Sequence, residues 1–251
     1  MNKRRQAIAD LVNQLGEIHI RDLRRMFPNI SEVTLRKDLQ VLDEENSLVR
    51  IHGGARSIND VTLKNSNFNT RTLLHQNEKA IIGEKAAKLI KDGMSVFISS
   101  GSTCAELAKQ LPSEYTLQVF TDGISIALKA PVSPGITVEL VGGVVNRNLM
   151  RLTGPSVVSA LDALHFDYAF LGTMGFNKQA GFPVATPGIA ASNTKAIEHS
   201  RKTVILMDSS KVNDMCTARN IPFKSVDIVI SDGKLSEDVV AFLNENQIEV
   251  L

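Results

Sequence analysis

Two kinds of hydrophobic spacing divide this chain. In the first 57 residues apolar side chains recur three and four apart, the period of helices packed on a small core. Ile8, Leu11, Val12 and Leu15 form the stripe of a helix over Lys3 to Leu15, which Gly16 ends. Ile18 and Ile20 alternate with polar residues as a short extended piece. A second helix, Arg21 to Phe27, is expected to bury Leu23, Met26 and Phe27 before Pro28-Asn29 breaks it. A third begins at Ser31, a good N-cap, with Leu35, Leu39 and Leu42 on one side. Ser47 to Ile58 then reads as a hairpin turning at Gly53-Gly54.

The third helix carries candidate chemistry on its outer face. Ser31, Glu32, Thr34, Arg36, Lys37 and Gln40 lie away from the leucine seam, a mixture suited to phosphates and base edges. Alone, the segment fits an ordinary amphipathic surface helix equally well. Its neighbours change that balance. Helix, helix, turn, helix in about 45 residues is the arrangement whose last helix enters the major groove. A following hairpin is a wing, where Arg50, His52 and Arg56 are placed to reach phosphate or groove.

Residues 58 to 78 are polar, Asn-rich and weakly periodic, as expected of a linker. From Lys79 onward, helical spacing alternates with short Val/Ile/Leu runs. A helix over Lys79 to Ile90, with Ile81, Ile82, Ala86, Leu89 and Ile90, leads in. Strands are predicted at Met94 to Ser99, Leu117 to Thr121, Ile136 to Gly143, Tyr168 to Gly175, Thr203 to Asp208, Asp227 to Asp232 and the C-terminal IEVL. Helices are predicted at Gly101 to Leu111, Pro155 to Leu164, Ser192 to Ser200 and Ser236 to Asn246. Near-continuous apolar strands between helices mean a parallel sheet covered on both faces.

Ligands of open parallel sheets bind at the carboxyl ends of the strands. There the sequence places Ser100-Gly101-Ser102-Thr103, Asp122, Gly142-Gly143, the turn Gly172 to Gly175 and Asp208 to Lys211. A strand, a glycine turn with two hydroxyl residues and a helix start bring amides and hydroxyls together, which suits a phosphate. Ser102 or Thr103 capping the helix would account for the same pattern. Lys211 is placed to complete the charge of a phosphate, or is a solvated loop lysine. Asp122 either accepts sugar hydroxyls or makes an Asx turn. Cys104 is expected to be an unreactive small apolar residue.

Composition narrows these readings only at the margins. The net charge is +1, and residues 1 to 56 hold ten Lys and Arg against eight acidic residues, too slight an excess to mark DNA binding. No apolar run approaches the roughly 18 to 20 residues that cross a bilayer, and the basic N-terminus lacks the apolar core of a signal peptide. Cys104 and Cys216 stand far apart, and His75, His165 and His199 lack ligand spacing, so neither metal nor cofactor is expected. Reduced thiols point to the cytoplasm.

With both halves in view, the chain resembles a known family over nearly its whole length. Arg4-Arg5, Ile8, Gly16, Asp22-Leu23, Ser31-x-x-Thr34-Leu35-Arg36-Lys37-Asp38-Leu39, Leu42, Arg50 and His52-Gly53-Gly54-Ala55 look like the winged helix-turn-helix of DeoR-type bacterial transcriptional regulators. Glu78-Lys79, Asp92-Gly93, Ser100 to Thr103, Gly142-Gly143, Asp167, Gly172 and Asp208 to Lys211 resemble that family's sensor. The resemblance implies a winged helix-turn-helix at 1–57, a linker at 58–78 and a Rossmann-like, ribose-5-phosphate-isomerase-like α/β sensor at 79–251. It also implies a cytoplasmic, nucleoid-associated repressor, or less often an activator, of carbohydrate-use genes, not an enzyme. Its expected partners are double-stranded operator DNA, a phosphorylated sugar or related metabolite, and further copies of itself as a homodimer or larger homo-oligomer. A sugar-phosphate isomerase with an accessory domain is the alternative. Against it, the acidic cluster expected of an isomerase is reduced to Asp167, and Val141 stands where a lysine would precede Gly142-Gly143. Two stretches depart from the family pattern. Phe27 to Ser31 is one residue longer than the usual turn, and Gly181 to His199 is richer in Pro and Gly.

Overall fold

A computed structural model describes residues 3–15, 17–45, 47–51, 53–57, 68–212 and 220–251. His52, Gly16 and Cys216, named above, lie outside these residues. The chain divides into two compact units, Met1–Leu74 and His75–Leu251.

In the first unit, α1 (Lys3–Leu15), β1 (Glu17–His19), α2 (Ile20–Met26) and α3 (Glu32–Glu44) precede the hairpin β2 (Val49–Ile51) and β3 (Gly54–Arg56). β3 is the central strand, antiparallel to both β1 and β2. Ile8, Val12, Leu23, Leu35, Leu39, Leu42 and Leu48 are all but inaccessible and form one core. The helical periodicity put the right leucines inward because each lies one turn from the next. Leu15 and Met26 are exceptions: they are 50% and 53% exposed at the ends of α1 and α2. The two glycines expected at the hairpin turn differ in role. Gly53 holds φ +79°, while Gly54 is already paired with His19 and Ile51. A side chain at Gly54 would run into the Ile18 carbonyl, so this glycine lets β3 lie against β1. Helix α4 (Phe68–Leu73), with Phe68 and Thr70 buried, occupies part of the stretch read as linker.

The second unit opens with α5 (Gln76–Ala87), three residues earlier than expected and with Ile81 41% exposed. There follow β4 (Ser95–Ile98), α6 (Ser102–Lys109), β5 (Leu117–Thr121), α7 (Ile124–Lys129), β6 (Ile136–Leu140), the hairpin β7 (Val144–Asn146) and β8 (Arg151–Thr153), and α8 (Pro155–Asp162). After these come β9 (Phe166–Gly172), β10 (Phe182–Pro183), α9 (Pro187–Glu198), β11 (Ser200–Leu206), β12 (Asn220–Ile221), β13 (Ile228–Ile230), α10 (Glu237–Glu245) and β14 (Glu249–Val250). Seven strands form a wholly parallel sheet in the order β14-β13-β11-β9-β4-β5-β6. β4 to β6 grow toward one edge and β9 to β14 toward the other. Right-handed crossovers therefore put their helices on opposite faces, and the order reverses between β4 and β9.

Candidate DNA interface and effector crevice

The candidate DNA surface begins at the N-cap of α3. Ser31 accepts a hydrogen bond from the Thr34 amide at 3.2 Å, and the two hydroxyls lie 2.8 Å apart. Arg36, Lys37 and Gln40 are exposed, whereas Glu32 and Thr34 are half-buried. Three of the proposed contact residues have partners within the helix. Arg36 donates to Glu32 through Nε at 3.0 Å and Nη2 at 2.7 Å, and Gln40 donates to Glu44 at 2.9 Å. Lys37 and Arg50 are exposed and make no ion pair with a described residue. The Arg50 amide donates to Asp43 at 3.0 Å, which ties the wing to the end of α3. A cavity of about 270 Å³ lies between them, with Arg36 and Leu39 on the helix side and Arg50, Gly53 and Gly54 on the wing side. Arg56, read as a third wing contact, is ion-paired with Glu17 on the neighbouring strand. Cross-strand geometry explains the pairing, since residue 56 lies opposite residue 17 in the ladder.

Asp38 lies on the buried side of α3, and its role went unread. Its carboxylate, 2% exposed, accepts from Arg4 at 2.6 and 3.0 Å and from Arg5 at 3.0 Å. This pins α1 to α3. Burial pushes the Asp38 carboxyl up, but the Arg4 and Arg5 hydrogen bonds and charges outweigh it and hold it below its ordinary value. A depressed folded value contributes stability above the unfolded value of about 4 and loses it as pH falls through the folded one. The first unit is thus expected to melt at lower temperature in acid, with part of that dependence missing in Asp38→Asn. Identical pH profiles for the two proteins in calorimetry would refute the assignment.

In the second unit the carboxyl ends of β4 and β9 flank the reversal of strand order. Ser99 and Ser100 leave β4, Gly101 is the N-cap, and Ser102 and Thr103 form the first turn of α6. Neither hydroxyl residue caps the helix: both are inside it and no side chain bonds its first amides, so the capping alternative fails. Gly101 and Gly172 face each other across Cys104, whose Sγ lies 3.7 and 3.5 Å from where their Cβ atoms would be. Burial first, then the charge of Asp122, push the Cys104 thiol up to about 12, with Arg151 opposing. It is an inert filler beneath the strand ends.

Among the described residues Asp122 makes no Asx turn. It is inaccessible, accepts from the Ser100 amide at 2.9 Å, and is ion-paired with Arg151, itself only 4% exposed. Ser192 on α9 joins this pair at 3.5 Å, and Ser99 donates to Asn193 at 3.3 Å. Arg151 and Ser192 were not singled out from the sequence, because only the folded hairpin and α9 bring them to β5. The hairpin returns over the strand ends: the Leu152 amide donates to the Asp122 carbonyl at 2.7 Å, and the Ser100 hydroxyl donates to the Leu149 carbonyl at 3.2 Å. The segment Gly181 to His199 does reach this region, through Ser192 and Asn193.

Gly142 and Gly143 are exposed, and a side chain at Gly143 would strike Val157 and the Thr153 carbonyl. That glycine serves the hairpin's approach to α8. Lys211 is 6% exposed in the turn after β11, so it is not a solvated loop lysine. Asp208 accepts from the Ser210 amide at 3.2 Å, leaving its buried Oδ2 without a hydrogen-bond partner.

A winged helix-turn-helix followed by a parallel-sheet unit defines a one-chain DNA-binding regulator with a sensor. The DeoR-like helix-turn-helix domain matches residues 4–61, and the DeoR C-terminal sensor domain matches residues 74–233. The HTH-type transcriptional regulator GolR of Listeria innocua is 30% identical over 94% of this chain and 92% of its own. The HTH-type transcriptional repressor GlcR of Bacillus subtilis is 28% identical over 98% and 93%. The putative aga operon transcriptional repressor of Escherichia coli O157:H7 is 26% identical over 100% and 93%. Among solved structures, ribose 5-phosphate isomerase A of Methanocaldococcus jannaschii is similar at 19% identity and a TM-score of 0.39, over 55% of this chain and 54% of that one. The chain belongs to the DeoR family of transcriptional regulators. It is a DNA-binding regulator and not an enzyme.

Proposed function

We propose that this regulator represses carbohydrate-use genes and that a phosphorylated sugar or similar metabolite, bound in the second unit, controls it. The observation that carries the reading is the uncapped start of α6 at the reversal of strand order. There Gly101, Ser102 and Thr103 present amides, and the last two hydroxyls, with Lys211 supplied from the turn after β11 of the same sheet. Relatives named as repressors, one of them of the aga operon, favour repression and a sugar-related role. On this reading residues 1–57 bind operator DNA, 58–78 connect and 79–251 sense. The protein works in the cytoplasm on nucleoid DNA as a homodimer or larger homo-oligomer, because two-fold symmetric operators call for paired helices.

At the DNA, Arg36, Lys37, Thr34 and Gln40 face the major groove from α3, and Arg50 and His52 support them from the wing. Arg36→Ala is expected to weaken operator binding by about 1 to 3 kcal/mol if the guanidinium reads a base. Loss of a phosphate contact would weaken all sequences alike and flatten the salt dependence. Gel shifts with operator and scrambled duplexes separate these results, and unchanged binding to both removes Arg36 from the interface. Adding sugar phosphates to the same gel shifts tests the control.

A further inference from the structure

We propose that Glu32 is a positioning residue that sets the sequence specificity of DNA binding. It orients Arg36 and neutralises cations that would otherwise grip any phosphate. The proposal rests on the reading that Arg36 enters the groove.

Glu32 Oε1 accepts from Arg36 Nε at 3.0 Å and from Nη2 at 2.7 Å. Its other oxygen lies 3.9 Å from Nη1 of Arg24 on α2. One carboxylate therefore faces an arginine from each helix of the helix-turn-helix. Both arginines are more than half exposed, at 54% and 65%. Binding Arg36 through Nε and Nη2 engages the side of the guanidinium and leaves the Nη1/Nη2 end free. That end carries the paired N–H groups that match O6 and N7 of guanine. Glu32 stands in the first turn of α3, where the helix dipole favours the anion. On a surface facing phosphates, an anion reduces affinity for every sequence, so Glu32 trades general affinity for orientation. Lys37 and Arg50 have no such partner among the described residues and supply the sequence-independent grip.

The test is fluorescence anisotropy of the full chain on two duplexes over a range of salt. One is an operator selected from random DNA by binding, and the other is its scrambled version. Glu32→Ala is expected to bind the scrambled duplex several-fold more tightly, with a salt slope steeper by about one. The operator-to-scrambled ratio is expected to fall about tenfold, the scale of one lost bidentate contact. Glu32→Gln, which keeps an acceptor oxygen but no charge, should show the same gain on scrambled DNA and a smaller fall in the ratio. In Arg36→Ala the ratio should fall, and adding Glu32→Ala should lower it no further. Equal weakening of both duplexes by Glu32→Ala, or an unchanged ratio in that variant, overturns the proposal. If Arg36→Ala leaves the ratio unchanged, the underlying placement of Arg36 fails first. Melting curves of both Glu32 variants separate loss of fold from these outcomes.

Discussion

Replacing Asp122 with alanine is expected to remove about 3 to 5 kcal/mol of stability from the sensor unit, the usual result of breaking a buried ion pair. The reason is asymmetry. Arg151 is 4% exposed and its Nε has no hydrogen-bond partner, so losing Asp122 leaves a buried cation uncompensated. The Ser100 amide loses its acceptor together with it. For a unit of this size the loss corresponds to a melting temperature lower by about 6 to 20 °C. Removing both charges in Asp122→Ala with Arg151→Met should recover much of it, because an apolar pair avoids the desolvation penalty. Were Asp122 chiefly a ligand for sugar hydroxyls, the unliganded protein would keep its stability and only ligand affinity would suffer. Thermal melts of the two variants without ligand distinguish these accounts.

Ligand binding should move stability in the opposite direction. A phosphorylated sugar present at 100 times its dissociation constant stabilises the folded state by about 2.7 kcal/mol. On the sensor unit that is an upward shift of about 5 to 11 °C. A thermal-shift screen of aldose and ketose phosphates on the full chain reads it directly, provided the second unit melts as its own transition. Lys211→Ala should abolish most of the shift if the ammonium completes the anion site. A full shift in that variant, or none with any phosphate in the wild type, counts against the proposed crevice. Turnover of any of these compounds would contradict the assignment as a regulator.

Much of this was legible from spacing, but unevenly. The leucine seam of α3 and its Ser31 cap follow from a helical period and one local hydrogen bond, both properties of neighbouring residues. The central strands were equally plain because strands buried on both faces carry unbroken Val, Ile and Leu. The hairpin over the crevice was not, since Val144 and Val145 are exposed and carry no alternation to mark them. The partners of charged residues were the least legible. Asp38 and Arg4 are 34 positions apart, and Arg151 and Asp122 are 29 apart, so neither pairing leaves a trace in local pattern. Arg56 shows the cost: read singly it was a DNA contact, but register sets it against Glu17.

These pairings sharpen what the two units do. In the first, fixed ion pairs at Asp38 and Glu17 hold the helices and wing, and on the proposed reading Lys37 and Arg50 are what meets DNA. In the second, the Asp122 and Arg151 pair fixes the hairpin beside the α6 crevice. A ligand there can control DNA only by binding the DNA-competent and incompetent arrangements with different affinity. The most direct measurement is the operator affinity of the full chain, by anisotropy, as a function of the sugar phosphate that gives the largest thermal shift. A change of about tenfold or more, absent in Lys211→Ala, is the predicted result, and tenfold corresponds to about 1.4 kcal/mol of coupling. Operator affinity that stays constant while the same ligand saturates the protein would contradict it.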